Sequence, residues 1–121
     1  MEFEIEGRMI GLNEYTNACR TNPYKANKLK HEQQAMVEQA FLSDLRHFNK
    51  KVTKYPCSVK ITWYEPNKRR DVDNIQFAVK FILDALVNVG FLEDDSQKFV
   101  TSISHEVKVD KENPRIEVVV E

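Results

Sequence analysis

Two aspartates separated by a single residue are the side chains in this sequence best suited to metal chemistry. Asp71 and Asp73 directly follow the basic run Lys68, Arg69 and Arg70. Side chains two residues apart in an extended segment point the same way, so both carboxylates could bind one divalent metal ion. Alternatively, one aspartate caps the following helix, but a cap requires only one side chain. The pair beside three cations therefore indicates a metal and phosphate site.

Two patterns in the following residues refine this hypothesis. A calcium-binding EF-hand loop is excluded, because its sixth and twelfth positions require Gly and Glu, whereas here they are Gln76 and Ile82. On one continuous helix, Lys80 lies on the same face as Asp73. Lys80 also stands four residues before Asp84, so it could equally form an ordinary intrahelical ion pair.

A second acidic cluster follows this helix. Glu93, Asp94 and Asp95 come shortly after Gly90, a residue type suited to a helix C-terminus. Acidic residues in a loop are most often simply solvated. They can join the first aspartate pair only if the chain returns along the sheet, which the sequence does not show.

Hydrophobic periodicity predicts the elements that position these residues. Alternating apolar residues indicate strands, apolar residues three or four apart indicate helices, and Asn, Thr, Gly and Pro between positions 11 and 23 indicate a loop. The predicted elements are a strand at 2–10, a helix at 24–49, a strand at 57–64, a helix at 73–89, and strands at 99–109 and 115–120. The order β-α-β-α-β-β predicts one α/β (α+β) domain, residues 1–121, with a small mixed sheet and two helices.

The helix predicted at 73–89 is apolar on more than one side. One stripe consists of Ile75, Ala78, Val79, Ile82, Leu86 and Val89. A second stripe beside it consists of Phe77, Phe81 and Ala85. A helix of this kind is buried on two sides, which favours a homodimer. The alternative is that a single core and the first helix cover both stripes.

Charge and composition restrict the class of protein. Residues 20–70 contain twelve Lys or Arg and four Asp or Glu, whereas the remainder contains six and fifteen. This asymmetry permits a phosphate-binding face, unless the charges scatter evenly over the folded surface. No apolar run reaches the ~20 residues of a membrane helix, and neither a signal peptide nor a disulfide framework is evident. We therefore expect a cytoplasmic protein with reduced cysteines and no membrane partner.

Four segments resemble the RusA-type Holliday junction resolvases, a family of crossover junction endodeoxyribonucleases. They are residues 11–15, 69–75, 83–86 and 90–97, which contain Asp-Val-Asp-Asn, Asp-Ala-Leu and Asp-Asp-Ser-Gln in that order. The combination is specific, whereas Asp-x-Asp alone would not be. The resemblance implies a homodimeric, Mg²⁺-dependent endonuclease, with Mn²⁺ as an alternative metal and no small-molecule cofactor. Its substrate would be branched DNA, nicked symmetrically at four-way junctions.

The resemblance also implies roles for individual residues. The carboxylates that match the family's essential ones are Asp71, Asp73 and Asp95, with Asp94 beside the last as a further metal ligand. The family's catalytic lysine usually stands four residues after the second aspartate, where this chain has Phe77. Counting back from Asp-Ala-Leu instead aligns Lys80 with that lysine, as if three residues had been inserted early in the helix.

DNA binding is expected from basic side chains, which contact phosphates and position DNA without reading its sequence. The residues assigned to this role are Asn13, Arg20, Lys25, Lys28, Lys30, Lys68, Arg69 and Arg70. Bound Mg²⁺ would lower the pKa of its water and stabilise the charge that develops on the phosphate. Phe77 at the usual lysine position supports an alternative function, a non-catalytic protein that binds branched DNA with the same dimeric fold.

Overall fold

The computed structural model describes residues 1–121 and contains four strands and four α-helical segments. The elements are β1 (Glu2–Glu6), α1 (Leu12–Thr21), α2 (Pro23–Leu42), a short 3₁₀ helix (Leu45–His47), β2 (Cys57–Glu65), α3 (Val72–Gln76), α4 (Val79–Asn88), β3 (Val100–Val109) and β4 (Arg115–Val120). None of the helices combines the length and the apolar composition required to span a membrane.

The four strands form one mixed sheet in the order β1-β4-β2-β3. Strand β2 pairs in parallel with β3 and antiparallel with β4, and β4 pairs antiparallel with β1. The chain therefore has the mixed α+β sheet that the sequence predicts. All four predicted strands exist, although β1 ends at Glu6 rather than at residue 10.

The core lies on one face of the sheet, beneath the helices. Along β2, Val59, Ile61 and Trp63 are buried, whereas Ser58 and Lys60, which alternate with them, are exposed on the opposite face. This alternation follows from the two-residue period of a strand. Each large apolar side chain buried in this way stabilises the fold by roughly 1.5–3 kcal/mol. The strand is thus a rigid support for the segment that follows it.

The predicted loop between residues 11 and 23 is wrong, because most of it forms helix α1. Its Asn and Thr residues have low helix propensity, but tertiary contacts override propensity in a short helix. Ala18 is buried, and the ring of Tyr15 lies 5.3 Å from the ring of Phe77 and 5.7 Å from that of Phe81. Packing against α3 and α4 therefore stabilises α1.

The prediction of a single, continuous second helix is also wrong. The helix expected at 73–89 is divided into α3 and α4 by a turn at Phe77 and Ala78. There the N–H groups of Ala78, Lys80 and Phe81 bond to carbonyls three residues earlier, which tightens the chain. Asp73 and Lys80 therefore lie on two different helices, and the prediction that they share one helix face is wrong. The first long helix likewise ends at Leu42 instead of residue 49.

The second apolar stripe of the predicted helix is covered within one chain. Phe81 and Ala85 are buried in the core, and Phe77 is half-buried against Tyr15 of α1. This stripe consequently gives no evidence for a partner subunit. The homodimer remains a prediction, and its support must come from another surface.

Strand β3 lies at an edge of the sheet and is largely exposed. It is joined to β2 by a side-chain contact as well as by the backbone ladder. The indole Nε1–H of Trp63 donates to Nδ1 of His105 at 3.0 Å, and the two rings stack with 14° between their planes. Burial lowers the pKa of His105 from its ordinary value of 6.5. The acceptor Nδ1 must be unprotonated for this bond to form.

We predict that the free energy of unfolding falls as the pH is lowered from 7.5 to 5.5, with part of the fall due to His105. Because its pKa in the folded state is depressed, His105 stabilises the fold fully above pH 6.5. As the pH falls, the unfolded chain binds the proton first, which costs up to about 1.4 kcal/mol per pH unit. Urea unfolding of wild type and His105→Gln at both pH values measures this contribution. The exposed His31→Gln variant is the control, and an unchanged pH dependence in His105→Gln would contradict the prediction.

Candidate active site

The Asp71 and Asp73 carboxylates lie at the start of α3, beyond the end of β2. Asp71 is the N-cap residue with extended backbone torsions (φ −69°, ψ 152°), and its carbonyl accepts the N–H of Ile75 at 3.1 Å. Its side chain makes no capping hydrogen bond. The side chains of both aspartates are exposed. The backbone alone thus provides the cap, and the Asp71 carboxylate is free to bind a ligand.

A buried ion-pair network, which we name the Glu65 network, anchors the segment before these aspartates. Glu65 is 3% exposed, and its carboxylate accepts hydrogen bonds of 2.9 Å from Arg8 and, through both oxygens, from Arg70. Arg70 also donates to the carbonyl of Met9 at 3.1 Å. Burial alone would raise the pKa of Glu65, but the hydrogen bonds from Arg70 and Arg8 outweigh it and hold that pKa below its ordinary value.

The Glu65 network changes the interpretation of the basic run. Arg70 was assigned to DNA binding, but its guanidinium is engaged by Glu65 and Met9 inside the protein. Lys68 and Arg69 are exposed and form no ion pair, so they are the cations of the run that can reach phosphate. Sequence reasoning missed this division. The sequence signal that could have revealed it is Glu65, an acid two residues after Trp63 on the buried face of β2. An unpaired charge at such a position would be costly.

Asn74 joins the start of α1 to the start of α3. Its Oδ1 accepts the backbone N–H of Asn13 at 2.9 Å, which provides a cap that Gly11, having no side chain, cannot supply. Asn13, which was assigned to DNA binding from the sequence, is exposed and lies beside the residue that follows Asp73. The structure therefore brings Asn13 next to Asn74, directly after the aspartate pair, and its DNA-binding role stays a prediction.

A surface groove of about 440 Å³ brings together the second group of predicted site residues. The charged side chains that line it are Lys30, Lys80, Asp84, Asp94 and Asp95. The loop after α4 therefore places its two aspartates in the same groove as Lys80, whereas Asp71 and Asp73 do not line this groove. The ammonium of Lys80 is 3.6 Å from a carboxylate oxygen of Asp84, so the expected intrahelical ion pair is present.

No three His, Cys, Asp or Glu side chains in the chain are grouped so that they could hold one metal ion. The carboxylates instead form two sets, Asp71 with Asp73 at the start of α3, and Asp94 with Asp95 in the groove. Exposed carboxylate oxygens are suitable ligands for Mg²⁺, which needs few protein ligands and retains several waters. Asp71 is extended but Asp73 lies within helix α3, so the expectation that an extended segment points both carboxylates the same way does not hold. The pair still offers two exposed carboxylates to such an ion, and the three-aspartate site stays a prediction.

The remaining basic residues surround the junction between α1 and α2. Arg20 lies in the last turn of α1, and Lys25, Lys28 and Lys30 occupy the first two turns of α2. Lys28 forms only a long, exposed ion pair with Glu32, at 3.9 Å. Such pairs contribute little, so the Lys28 ammonium can exchange Glu32 for phosphate.

We predict that Arg70→Ala destabilises the protein by about 3 kcal/mol, because it removes one partner of a buried ion pair and leaves Glu65 with Arg8 alone. Arg69→Ala, one residue earlier and exposed, is the matched control and should change the free energy of unfolding by less than about 0.5 kcal/mol. Chemical denaturation of both variants at pH 7 measures the difference. Equal stability of the two variants would show that the Glu65 network contributes nothing.

Comparison with known proteins supports the resemblance found in the motifs. Residues 13–121 match the family model described as endodeoxyribonuclease RusA. Comparison with curated proteins gives no match. The matched range contains both aspartate pairs, Lys80 and all of the basic residues assigned to DNA binding. Because the match extends over nearly the whole chain, this protein belongs to the RusA endodeoxyribonuclease family.

Proposed function

We propose that this protein is a homodimeric, Mg²⁺-dependent endodeoxyribonuclease that resolves four-way DNA junctions by paired nicks. Family membership supports an endodeoxyribonuclease that acts on such junctions. The observation that carries the metal-dependent mechanism is the aspartate pair at the start of α3. Asp71 and Asp73 are exposed next to the unpaired cations Lys68 and Arg69. This combination suits a metal ion and a phosphate together.

The proposed chemistry assigns a distinct task to each group of residues. Asp71 and Asp73 hold the ion, and Asp94 and Asp95 complete its ligands. Mg²⁺, or Mn²⁺, supplies an activated water and neutralises charge on the phosphate when it is bound. Lys68, Arg69 and Asn13 hold the phosphate backbone beside the aspartates. The cations of the α1–α2 junction extend this surface along the DNA.

Lys80 is proposed to stabilise the charge that develops on the phosphate. Its side chain is 63% exposed, and its only ion pair is with Asp84 at 3.6 Å. An exposed i,i+4 pair contributes only a few tenths of a kcal/mol, so Lys80 can leave Asp84 at small cost when DNA binds. Its position in the groove with Asp94 and Asp95 supports this role.

The homodimer is proposed on the basis of strand β3. This strand is ten residues long and lies at the sheet edge, so its outer backbone groups have no strand partner. Two large apolar side chains, Ile103 and Val109, are 39% and 46% exposed on it. Long edge strands of this type pair readily with another chain. A second copy bound there would also provide the two sites that paired nicks require.

The division of the carboxylates into two sets leads to a specific arrangement of that dimer. Because no three metal-binding side chains meet within one chain, we propose that Asp71 and Asp73 of one subunit share a metal ion with Asp95 of the other subunit. Each dimer then contains two equivalent sites, as expected for two-fold symmetry.

The first prediction for this function is cleavage of a synthetic four-way junction in the presence of Mg²⁺. Wild type should release two symmetric nicked products, and Asp73→Asn should reduce the rate by at least about 100-fold because a metal ligand is lost. A gel assay with labelled strands, and with linear duplex as the substrate control, measures both. Tight binding of the junction without cleavage by wild type would support the non-catalytic alternative.

The second prediction concerns the shared site. Asp73→Asn and Asp95→Asn should each reduce the cleavage rate by at least about 100-fold, but heterodimers of the two variants should recover it. In such a heterodimer one site carries both substitutions, while the other combines a native Asp73 with a native Asp95. Tandem purification with two different tags isolates the heterodimer, which should introduce single rather than paired nicks. Inactive heterodimers would show that each subunit supplies its own complete set of carboxylates.

A further inference from the structure

We propose that Asn74 is a positioning residue of the candidate metal site, and that it acts by holding the amino end of α1 against Asp73. This inference rests on the proposed function, since it concerns the orientation of a proposed metal ligand. It adds a residue that contributes no charge and binds neither the metal ion nor the phosphate.

The first part of the argument is the close fit between Asn74 and Gly11. A Cβ atom at Gly11 would lie 2.5 Å from Oδ1 and 2.9 Å from Nδ2 of Asn74, closer than such atoms can approach. The torsions of Gly11 (φ −90°, ψ 171°) are accessible to any residue. Glycine therefore matters here for space and not for its backbone conformation, because a Cβ would force the Asn74 side chain to shift. The space is filled by the amide that accepts the N–H of Asn13 at 2.9 Å.

The second part is the bond that Asn74 makes to the metal ligand itself. The backbone N–H of Asn74 donates to Oδ1 of Asp73 at 3.0 Å, while no hydrogen bond engages Oδ2 of that carboxylate. The bond fixes the rotation of the carboxylate and leaves Oδ2 available to a ligand. One residue thus fixes the orientation of Asp73 through its backbone and the position of α1 through its side chain.

The third part is the rigidity of the element to which Asn74 is tied. Tyr15, two residues after Asn13, packs on Phe77 at the far end of α3. Helix α3 is therefore bound to α1 at both of its ends, by a hydrogen bond at one and by aromatic packing at the other. Loss of the Asn74 side chain would free the end that carries Asp73. A displacement of about 1 Å in a catalytic site can reduce the rate by about 100-fold.

Asn74→Ala tests the proposal directly. At 25 °C we expect kcat for junction cleavage to fall by about 10- to 100-fold and the Mg²⁺ concentration for half-maximal rate to rise, with KM for DNA changed less than about threefold. The melting temperature should fall by about 3–6 °C, as for a lost helix cap. Asn74→Asp retains the acceptor oxygen and should recover most of kcat. Asn17→Ala, exposed on α1 and without a side-chain hydrogen bond, is the matched control.

A double-mutant cycle tests the contact between Gly11 and Asn74 by thermal stability alone. Gly11→Ala should destabilise the protein by clashing with the Asn74 amide, and Asn74→Ala should relieve that clash, so the double variant melts above Gly11→Ala. Additive effects would overturn the contact. Wild-type kcat and Mg²⁺ dependence in Asn74→Ala would overturn the positioning role alone, whereas absence of cleavage by wild type would overturn the proposed function as well.

Discussion

A carboxylate on the buried face of a strand requires cations, and the fold satisfies this requirement at Glu65. The two arginines that meet it come from different parts of the chain, Arg8 from the connection after β1 and Arg70 from the connection before α3. An uncompensated buried charge costs several kcal/mol, so the three segments cannot separate without a large loss of stability. The position of the aspartate pair follows directly, because Asp71 is the next residue after Arg70. A structural ion pair thereby places the exposed aspartate pair of the proposed metal site.

Helix α1 connects the core to the site in a second way. It covers the aromatic side chains of Phe77 and Phe81, and it is capped by Asn74 from the helix that carries the aspartates. Its carboxyl end leads within two residues into α2, where the basic side chains of the α1–α2 junction lie. The same helix thus completes the core, fixes the start of α3 and places a group of phosphate-binding candidates. Each contribution depends on contacts between residues that are distant in the sequence.

The charges near the site divide into those that build the fold and those left for a ligand. In the basic run, Arg70 is used by the Glu65 network, while Lys68 and Arg69 point to solvent. In the groove, Lys80 and Asp84 form a weak exposed pair that a phosphate can displace. The strong pairs are buried and the weak ones line the proposed DNA surface. With this separation, DNA bound at the proposed surface would not disturb the interactions that hold the aspartates in place.

The sequence by itself determined the strands, the mixed α+β class and the family, because these depend on local alternation and on motif spacing. It also identified the exposed pair Asp71 and Asp73. Periodicity also predicted α2 and the region of α3 and α4. Only the tertiary structure decided α1, which is stabilised by Tyr15 against Phe77 and not by propensity, and the turn at Phe77 and Ala78, which interrupts an otherwise helical pattern. Only the tertiary structure distinguished Arg70 from Lys68 and Arg69. All three lie close to Glu65 in the sequence, and the fold decides which of them reaches its buried carboxylate. The position of Asp95 in the groove of Lys80 depends on the direction that the chain takes after α4, which no local pattern encodes.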